Sequence, residues 1–386
     1  MIRRVEAKFA GILYFIGEGI LKIIQKVFWS KKRPSAAKNV CVYRTGNIGD
    51  IVCAIPAIYS IRHAYPEARI TLLSSPGNKG MPCADDLLNG VNWLDEIIIY
   101  YSEDINTLIK RFRFLCNLRS RKFDVWMELP NDLATMRVLL RNILVVKFLG
   151  AGWAAGWRLN TIKLFGQAQS EHLIFDNEVT RLLNIVTDYA IDGKPIFPLP
   201  LVGTNSAAVE EILRGEGISG RQIVAIAPGA KRSTNRWPAE WFAKIGKVIS
   251  VMGYATLVVG GDSDKEICLW VANAIGAESK SVAGSLSLPE FSELLKRCCL
   301  FIGNDSGPQH LAAAVGIPCI SLFSSWQLKG KWHPFGPDNV VIQKPVSCHT
   351  CFLEECPYDN MCIKLIQVQD VIEVIDTKIR PLPTST

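Results

Sequence analysis

Residues 300–323, LFIGNDSGPQHLAAAVGIPCISLF, constrain the fold more than any other stretch of the chain. Leu300 to Ile302 predicts a buried strand, and Gly303-Asn304-Asp305-Ser306-Gly307 a tight turn. Pro308 sits where a first helical residue belongs, and Gly316 closes the helix ahead of Pro318. Proline first and glycine last is the asymmetry of helix ends. Cys319 to Phe323 is a second apolar strand. Strand, turn, helix and strand make the unit of a parallel sheet, with the turn at the carboxyl end of its strand and backbone N–H groups facing outward. Those groups and the helix dipole favour anions, phosphates above all. Asp305 adds a carboxylate suited to a ribose or sugar hydroxyl. His310, about one turn into the helix, is within reach of the same ligand.

The same alternation runs through the chain. Asn39 to Tyr43 predicts the first strand, and Arg44-Thr45-Gly46-Asn47-Ile48-Gly49-Asp50 a glycine turn that lets backbone approach a ligand. A helix from about Ile51 to Ala64, bent at Pro56, leads to a strand at Arg69 to Ser74, completing a βαβ unit. Gly46-x-x-Gly49 falls short of the G-x-G-x-x-G dinucleotide fingerprint, so no nicotinamide site is read here. Asp50 has two readings, a helix N-terminal cap and a carboxylate base; spacing alone favours the cap. Further strands are predicted at Glu96 to Tyr101 and Phe123 to Leu129. A basic helix at Asn106 to Arg121 reads as a solvated face, and further helices are read from about Asp132 and over Asn177 to Tyr189. Pro195, Pro198, Pro200 and Gly203 mark a linker.

Beyond the linker, strand Gln222 to Ala227 runs into a glycine turn carrying Lys231, Arg232 and Arg236, and Pro238 opens a helix to about Met252. Basic residues on such a turn make a diphosphate cradle; the alternative is a surface loop with unrelated charges. Strand Ala255 to Val259 precedes Gly260-Gly261-Asp262-Ser263-Asp264 and a helix containing Glu266. Asp262-x-Asp264 resembles a short metal motif, but spaced aspartates before a helix are usually caps. Ser287 to Glu290 is a capping box. Alternation in both halves predicts two doubly wound α/β domains with a cleft between them, at residues 37–205 and 206–386. Residues 1–36 stand apart: Phe9, Ile12, Leu13, Ile16, Ile20, Ile23, Ile24 and Val27 share one helical face, and Lys31-Lys32-Arg33 follow. Charges interrupt the run, so a membrane span is disfavoured, and no small-residue cleavage site follows. The segment reads as an amphipathic helix on an anionic membrane surface, or as one docked on protein. A net charge of +7 is mild. It suits an anionic ligand or membrane, and no nucleic-acid motif accompanies it.

Four blocks, RTGNIGDIVCAIPAIYSIRHAYPEARI (44–70), PGAKRSTNRWPAEWF (228–242), VVGGDSDKEI (258–267) and GNDSGPQHLAAAVGIPCISLF (303–323), together resemble glycosyltransferase family 9, the ADP-heptose:lipopolysaccharide heptosyltransferases. The resemblance implies a GT-B fold of two Rossmann-like domains and an inverting transfer that requires no metal. It implies a nucleotide-sugar donor such as ADP-heptose on the C-terminal domain. It implies a lipid-anchored cell-envelope glycan as acceptor, hence a cytoplasmic protein peripheral on the inner membrane. It makes Asp50 the general base, with Gly46, Asn47 and Gly49 on the acceptor side. It places Lys231, Arg232, Arg236, Glu266, Asp305, Ser306, Gly307 and His310 at the donor. Asn235 departs from the pattern, standing where relatives often carry lysine. An epimerase or hydrolase on the same fold, and a non-catalytic nucleotide-sugar binder, are the alternatives.

Of 12 cysteines, Cys348, Cys351, Cys356 and Cys362 fall within the 348–362 segment, with His349 among them. Four thiolates so spaced suit a structural zinc or iron–sulfur centre. The alternatives are a reduced loop, or disulfides, which a reducing cytosol disfavours.

Overall fold

The computed structural model describes residues 2–131, 134–159, 175–200, 207–215, 218 and 220–382, and, from residue 13 on, their side chains. The chain divides into two compact units, Met1–Ser170 with Glu178–Pro198, and Glu171–Asn177 with Leu199–Thr386. The main break follows Pro198, within the proline-marked linker and ahead of the 205/206 boundary read from sequence. The stretch 171–177 belongs to the second unit, where the Phe175 N–H donates to the Lys329 carbonyl at 3.0 Å. No linker signal marks that crossing.

In the first unit, β1 (Asn39–Tyr43), β2 (Arg69–Gly77), β3 (Glu96–Tyr101), β4 (Val125–Glu128) and β5 (Trp153–Ala155) pair in parallel in the order β3-β2-β1-β4-β5. Helices α1 (Ile2–Phe28), α2 (Ile48–Ala64), α3 (Ala84–Leu88), α4 (Leu108–Ser120), α5 (Met136–Leu149) and α6 (Glu178–Thr187) accompany them. β1 lies at the centre, and the interior of its apolar run is buried, as a doubly covered parallel strand requires. α2 is apolar almost all round and buried over most of its surface, with α6 packed against it. It starts three residues earlier than its sequence pattern suggests and continues through Pro56. The residue Asp132, read as the start of a helix, lies outside the described residues; α5 begins at Met136, capped by Thr135, whose hydroxyl accepts from Val138 N–H.

In the second unit, β6 (Ile223–Ala227), β7 (Ala255–Val258), β8 (Ser279–Ser281), β9 (Cys298–Asn304), β10 (Cys319–Phe323) and β11 (Val340–Gln343) form a second all-parallel sheet, ordered β11-β10-β9-β6-β7-β8. Around it run α7 (Ala207–Gly215), α8 (Ala239–Val251), α9 (Lys265–Ile275), α10 (Leu288–Lys296), α11 (Gly307–Ala314), α12 (Met361–Lys364) and α13 (Val368–Lys378). Its core joins Val224, Ile226 and Ile302 of the strands to Phe242, Ile245 and Val271 of α8 and α9. β9 runs on through Gly303 and Asn304, which sequence assigns to the turn. Asn304 is fully buried because its amide is an internal tie, described below.

α1 docks on its own unit by one face. Leu21 is buried, and Glu18 accepts from Arg158 at 2.9 Å. Beyond its end the Trp29 indole donates to the Ala151 carbonyl and stacks on Trp157. The opposite face leaves Leu13, Ile16, Ile20, Ile23 and Val27 exposed. Phe9 and Ile12 lie outside the described side chains. α4 is exposed along most of its length, as read from its basic composition, and the same surface carries Leu108, Ile109 and Phe112, all more than half exposed.

Candidate active site

In the first unit the turn after β1 is built around Asp50. Its carboxylate accepts from the Asn47 N–H at 3.0 Å, the cap geometry that spacing favours, and from the Arg44 guanidinium at 3.1 Å. Gly46 has φ +139°, and a Cβ there would stand 2.4 Å from the Asp50 carboxyl carbon. Glycine is therefore required for the carboxylate to fold back over the turn. The Asp50 side chain keeps 16% exposure while Arg44 has none, so a partly exposed carboxylate stands over a buried cation. Arg44 also donates to the Pro130 carbonyl at 2.8 Å and to Glu178 at 3.1 Å. Glu178, fully buried, accepts a second guanidinium from Arg181 at 2.7 Å. Gly49 lies in the first turn of α2, one residue ahead of Asp50.

In the second unit the adjacency of β10, β9, β6 and β7 sets four strand-end turns side by side. Asn304, closing β9, donates to the Pro228 carbonyl at 2.8 Å and accepts from the Trp237 N–H at 3.1 Å, fixing both ends of the turn after β6. Asn235, in the same turn, is buried. Its amide donates to Asp305 at 3.1 Å, and its carbonyl oxygen accepts from Ser324 after β10 at 2.7 Å. Gln309 donates to the other Asp305 oxygen at 3.3 Å and to the Trp332 carbonyl at 3.1 Å. Burial pushes the Asp305 carboxyl up to about 7, against the opposing pull of the Arg232 charge and the Asn235 amide.

Lys231, Arg232 and Arg236 are exposed. Arg236 is committed to its own turn, donating to the Ala230 carbonyl at 2.8 Å. Arg232 lies 3.9 Å from the Trp326 ring centroid, a cation–π contact that holds the guanidinium over the turn after β10. Ser306 caps α11 in extended conformation, and Gly307 is its first helical residue. His310 is buried edge-on to Trp332, with ring centroids 5.9 Å apart. Glu266 is exposed in the first turn of α9. Asp264 accepts from the Gly261 N–H at 3.1 Å, a capping role, and its side chain occupies the space a Cβ on Gly229 would need. Asp262 pairs with Lys265 at 2.6 Å.

Sequence reasoning missed Arg44, Glu178 and Arg181 in the first unit, and Asn304, Gln309, Ser324 and Trp326 in the second. Arg44 and Asn304 carried a readable signal, a polar residue where an apolar parallel strand ends. Glu178 lies 134 residues from Arg44, so no local pattern announces the pair.

Cys348, Cys351, Cys356 and Cys362 are free, partly buried thiols. Burial raises the Cys362 thiol, with Cys356 and Cys348 adding to it against backbone hydrogen bonds from Ser325 and Ile363. Among the described residues no three His, Cys, Asp or Glu side chains converge closely enough to hold an ion. The segment is nonetheless tied to the turn after β10, through Thr350 N–H to Ser325 carbonyl and Trp326 indole to Leu353 carbonyl.

The model of glycosyltransferase family 9 (heptosyltransferase) matches residues 111–362. Lipopolysaccharide heptosyltransferase 3 of Escherichia coli is 24% identical over 347 residues, covering 88% of this chain and 97% of that protein. A glycosyl transferase family 9 structure from Veillonella parvula superposes with TM-score 0.70 at 19% identity, over 90% of this chain and 98% of that one. The E. coli ADP-heptose lps heptosyltransferase II gives TM-score 0.62 at 20% identity, over 88% and 98%. The two parallel α/β units thus have the GT-B-like fold of these solved structures.

Proposed function

Because the chain belongs to glycosyltransferase family 9 and is a glycosyltransferase, we propose that it transfers heptose from ADP-heptose to a hydroxyl of a lipopolysaccharide-core glycan, with inversion at the anomeric carbon. The observation that carries this reading is the Asp50 turn. A carboxylate is fixed by Asn47 and Arg44, given room by Gly46, and keeps 16% of its side chain exposed. Such a group takes the proton from the acceptor hydroxyl as its oxygen attacks C1 of the sugar. Arg44 holds the carboxylate in place, and Glu178 with Arg181 holds Arg44, so those three are positioning residues.

The leaving group is ADP, which gains negative charge as the glycosidic bond breaks. In the second unit Lys231, Arg232 and the amino end of α11 supply positive charge for that diphosphate, the role a metal plays in other transferases. Asp305 and Glu266 are assigned to donor hydroxyls, with Ser306 and Gly307 offering the first N–H groups of α11. His310 is assigned to shaping the pocket wall with Trp332. Two E. coli relatives, a lipopolysaccharide heptosyltransferase 3 and an ADP-heptose lps heptosyltransferase II, support heptose, ADP and the acceptor class. Asn235 is neutral where a lysine would bring a further cation beside Asp305, and burial pushes the Asp305 carboxyl up to about 7 against the pull of Arg232. The test is direct: purified protein, ADP-heptose and heptose-bearing core acceptor should yield ADP and a lengthened glycan. Release of ADP without an acceptor would instead indicate a hydrolase.

For the cysteine segment the proposal is a structural zinc or iron–sulfur centre that clamps the turn carrying Trp326. The donor set suits it, and the loop would have to close further to bind.

A further inference from the structure

The first unit carries apolar surface that its own core does not use. α4 exposes Leu108 (80%), Ile109 (67%) and Phe112 (60%), and α5 exposes Leu144 (62%). Between the two helices lies an open groove of about 780 Å³, floored by Leu115, Met136, Leu140 and Val145, with Arg137 and Arg141 at its rim. Large hydrophobic side chains grouped in this way mark an interaction site rather than ordinary surface. The helix at the amino end adds to it. α1 packs beside α5, where Lys147 Nζ lies 5.4 Å from the Phe28 ring, and its free face presents Leu13, Ile16, Ile20, Ile23 and Val27.

The charge of these three helices identifies the occupant. α4 and α5 contain no acidic residue at all, and carry Lys110, Arg111, Arg113 and Arg119 on one and Arg137, Arg141 and Lys147 on the other. In α1 from residue 13 on, the one acid, Glu18, is buried in its pair with Arg158, while Lys22 and Lys26 are exposed. A second copy of the chain laid on this face would oppose cation to cation. An anionic lipid surface would receive both the apolar side chains and the arginines, whose planar guanidinium groups match phosphate. Among the described residues no helix is long and apolar enough to cross a membrane, so contact would be along the surface.

We propose that α4 and α5, with α1 beside them, form the surface by which the first unit sits on an anionic phospholipid bilayer. The proposal rests on the reading of the acceptor as a lipid-anchored glycan, which this surface would bring within reach. It adds to the amino-terminal helix a second anchor, consistent with stable peripheral binding taking more than one signal.

The experiment is co-sedimentation of the full chain with vesicles of phosphatidylcholine alone and with about one-third phosphatidylglycerol. Phe112→Glu and Leu144→Glu are compared with the parent, with circular dichroism and the thermal shift given by ADP as checks on the fold. The expected result is binding to the anionic vesicles only, weakened about tenfold by either substitution and by raising salt from 0.1 to 0.5 M, in line with screening of surface charge. The ADP shift should not change. Equal binding to neutral vesicles, or binding untouched by both substitutions in folded protein, would overturn the proposal. So would a concentration-dependent dimer abolished by the same substitutions without vesicle binding. Loss of the ADP response in the parent would instead count against the donor reading and leave the vesicle result standing.

Discussion

Asp305 makes stability depend on pH in a direction opposite to that of most carboxylates. Its carboxyl is displaced from an ordinary 3.8 to about 7, burial being the main cause. Between those values the folded chain holds a proton that the unfolded chain has released. Stability from this group is therefore complete below pH 4 and falls as pH rises towards 7. About three pH units at 1.36 kcal/mol each give roughly 4 kcal/mol as an upper bound, to be reduced because the residue is partly exposed. Asp305→Asn imitates the protonated form and keeps an acceptor for the Asn235 amide. At pH 4.5 the variant and parent should unfold at nearly the same temperature. At pH 8 the variant should be more stable by about 2–4 kcal/mol, or roughly 4–16 °C for a unit of this size. Thermal unfolding followed by circular dichroism at the two pH values reads it. Glu128, also raised to about 7 by burial, lies in the other unit and tilts both proteins alike, so the difference between them isolates Asp305. Parallel pH profiles, with the variant shifted equally at pH 4.5 and 8, would show that Asp305 does not take up a proton on folding.

Asn235→Lys should place a cation beside Asp305 and draw its carboxyl down, so the fall in stability between pH 4.5 and pH 8 should be smaller than in the parent; thermal unfolding at the two pH values checks it. Arg44→Met leaves Asp50 and Glu178 short of a buried partner and should destabilise the protein by about 3 kcal/mol, read by urea unfolding. Gly46→Ala forces a side chain into an unfavourable φ and onto the Asp50 carboxyl, so transfer should fall at least about tenfold, with stability reduced by about 1–3 kcal/mol. Metal analysis of reduced, untagged protein should find about one zinc, or iron with sulfide, per chain if the cysteine segment binds a centre; none would leave those cysteines as a reduced loop.

Much of the fold was legible because a doubly wound sheet writes itself twice. Buried strands such as Asn39–Tyr43 and Cys319–Phe323 appear as short apolar runs, and glycine turns with proline-led helices follow them. What sequence could not supply was pairing at long range. Glu178 reaches Arg44 across 134 positions, and Ser324 reaches Asn235 across 89. Asn304 was misplaced because its polarity reads as turn, whereas it is a buried tie at the end of a strand. The solvated face of α4 was legible, but its apolar content was not: arginines dominate the pattern and hide Leu108, Ile109 and Phe112 lying among them. The crossing at 171–177 leaves no trace in composition, since contacts decide which unit a short segment joins.

Chemistry and binding separate most directly at Asp50. Heptose transfer to a core acceptor and ADP binding by calorimetry would be measured for the parent and for Asp50→Asn, which keeps the shape of the turn and loses the base. Transfer should fall by about 10²–10⁴, the usual contribution of a general base, with ADP affinity within about twofold of the parent. Transfer at parental rate by the folded variant would contradict this and remove Asp50 from the reaction.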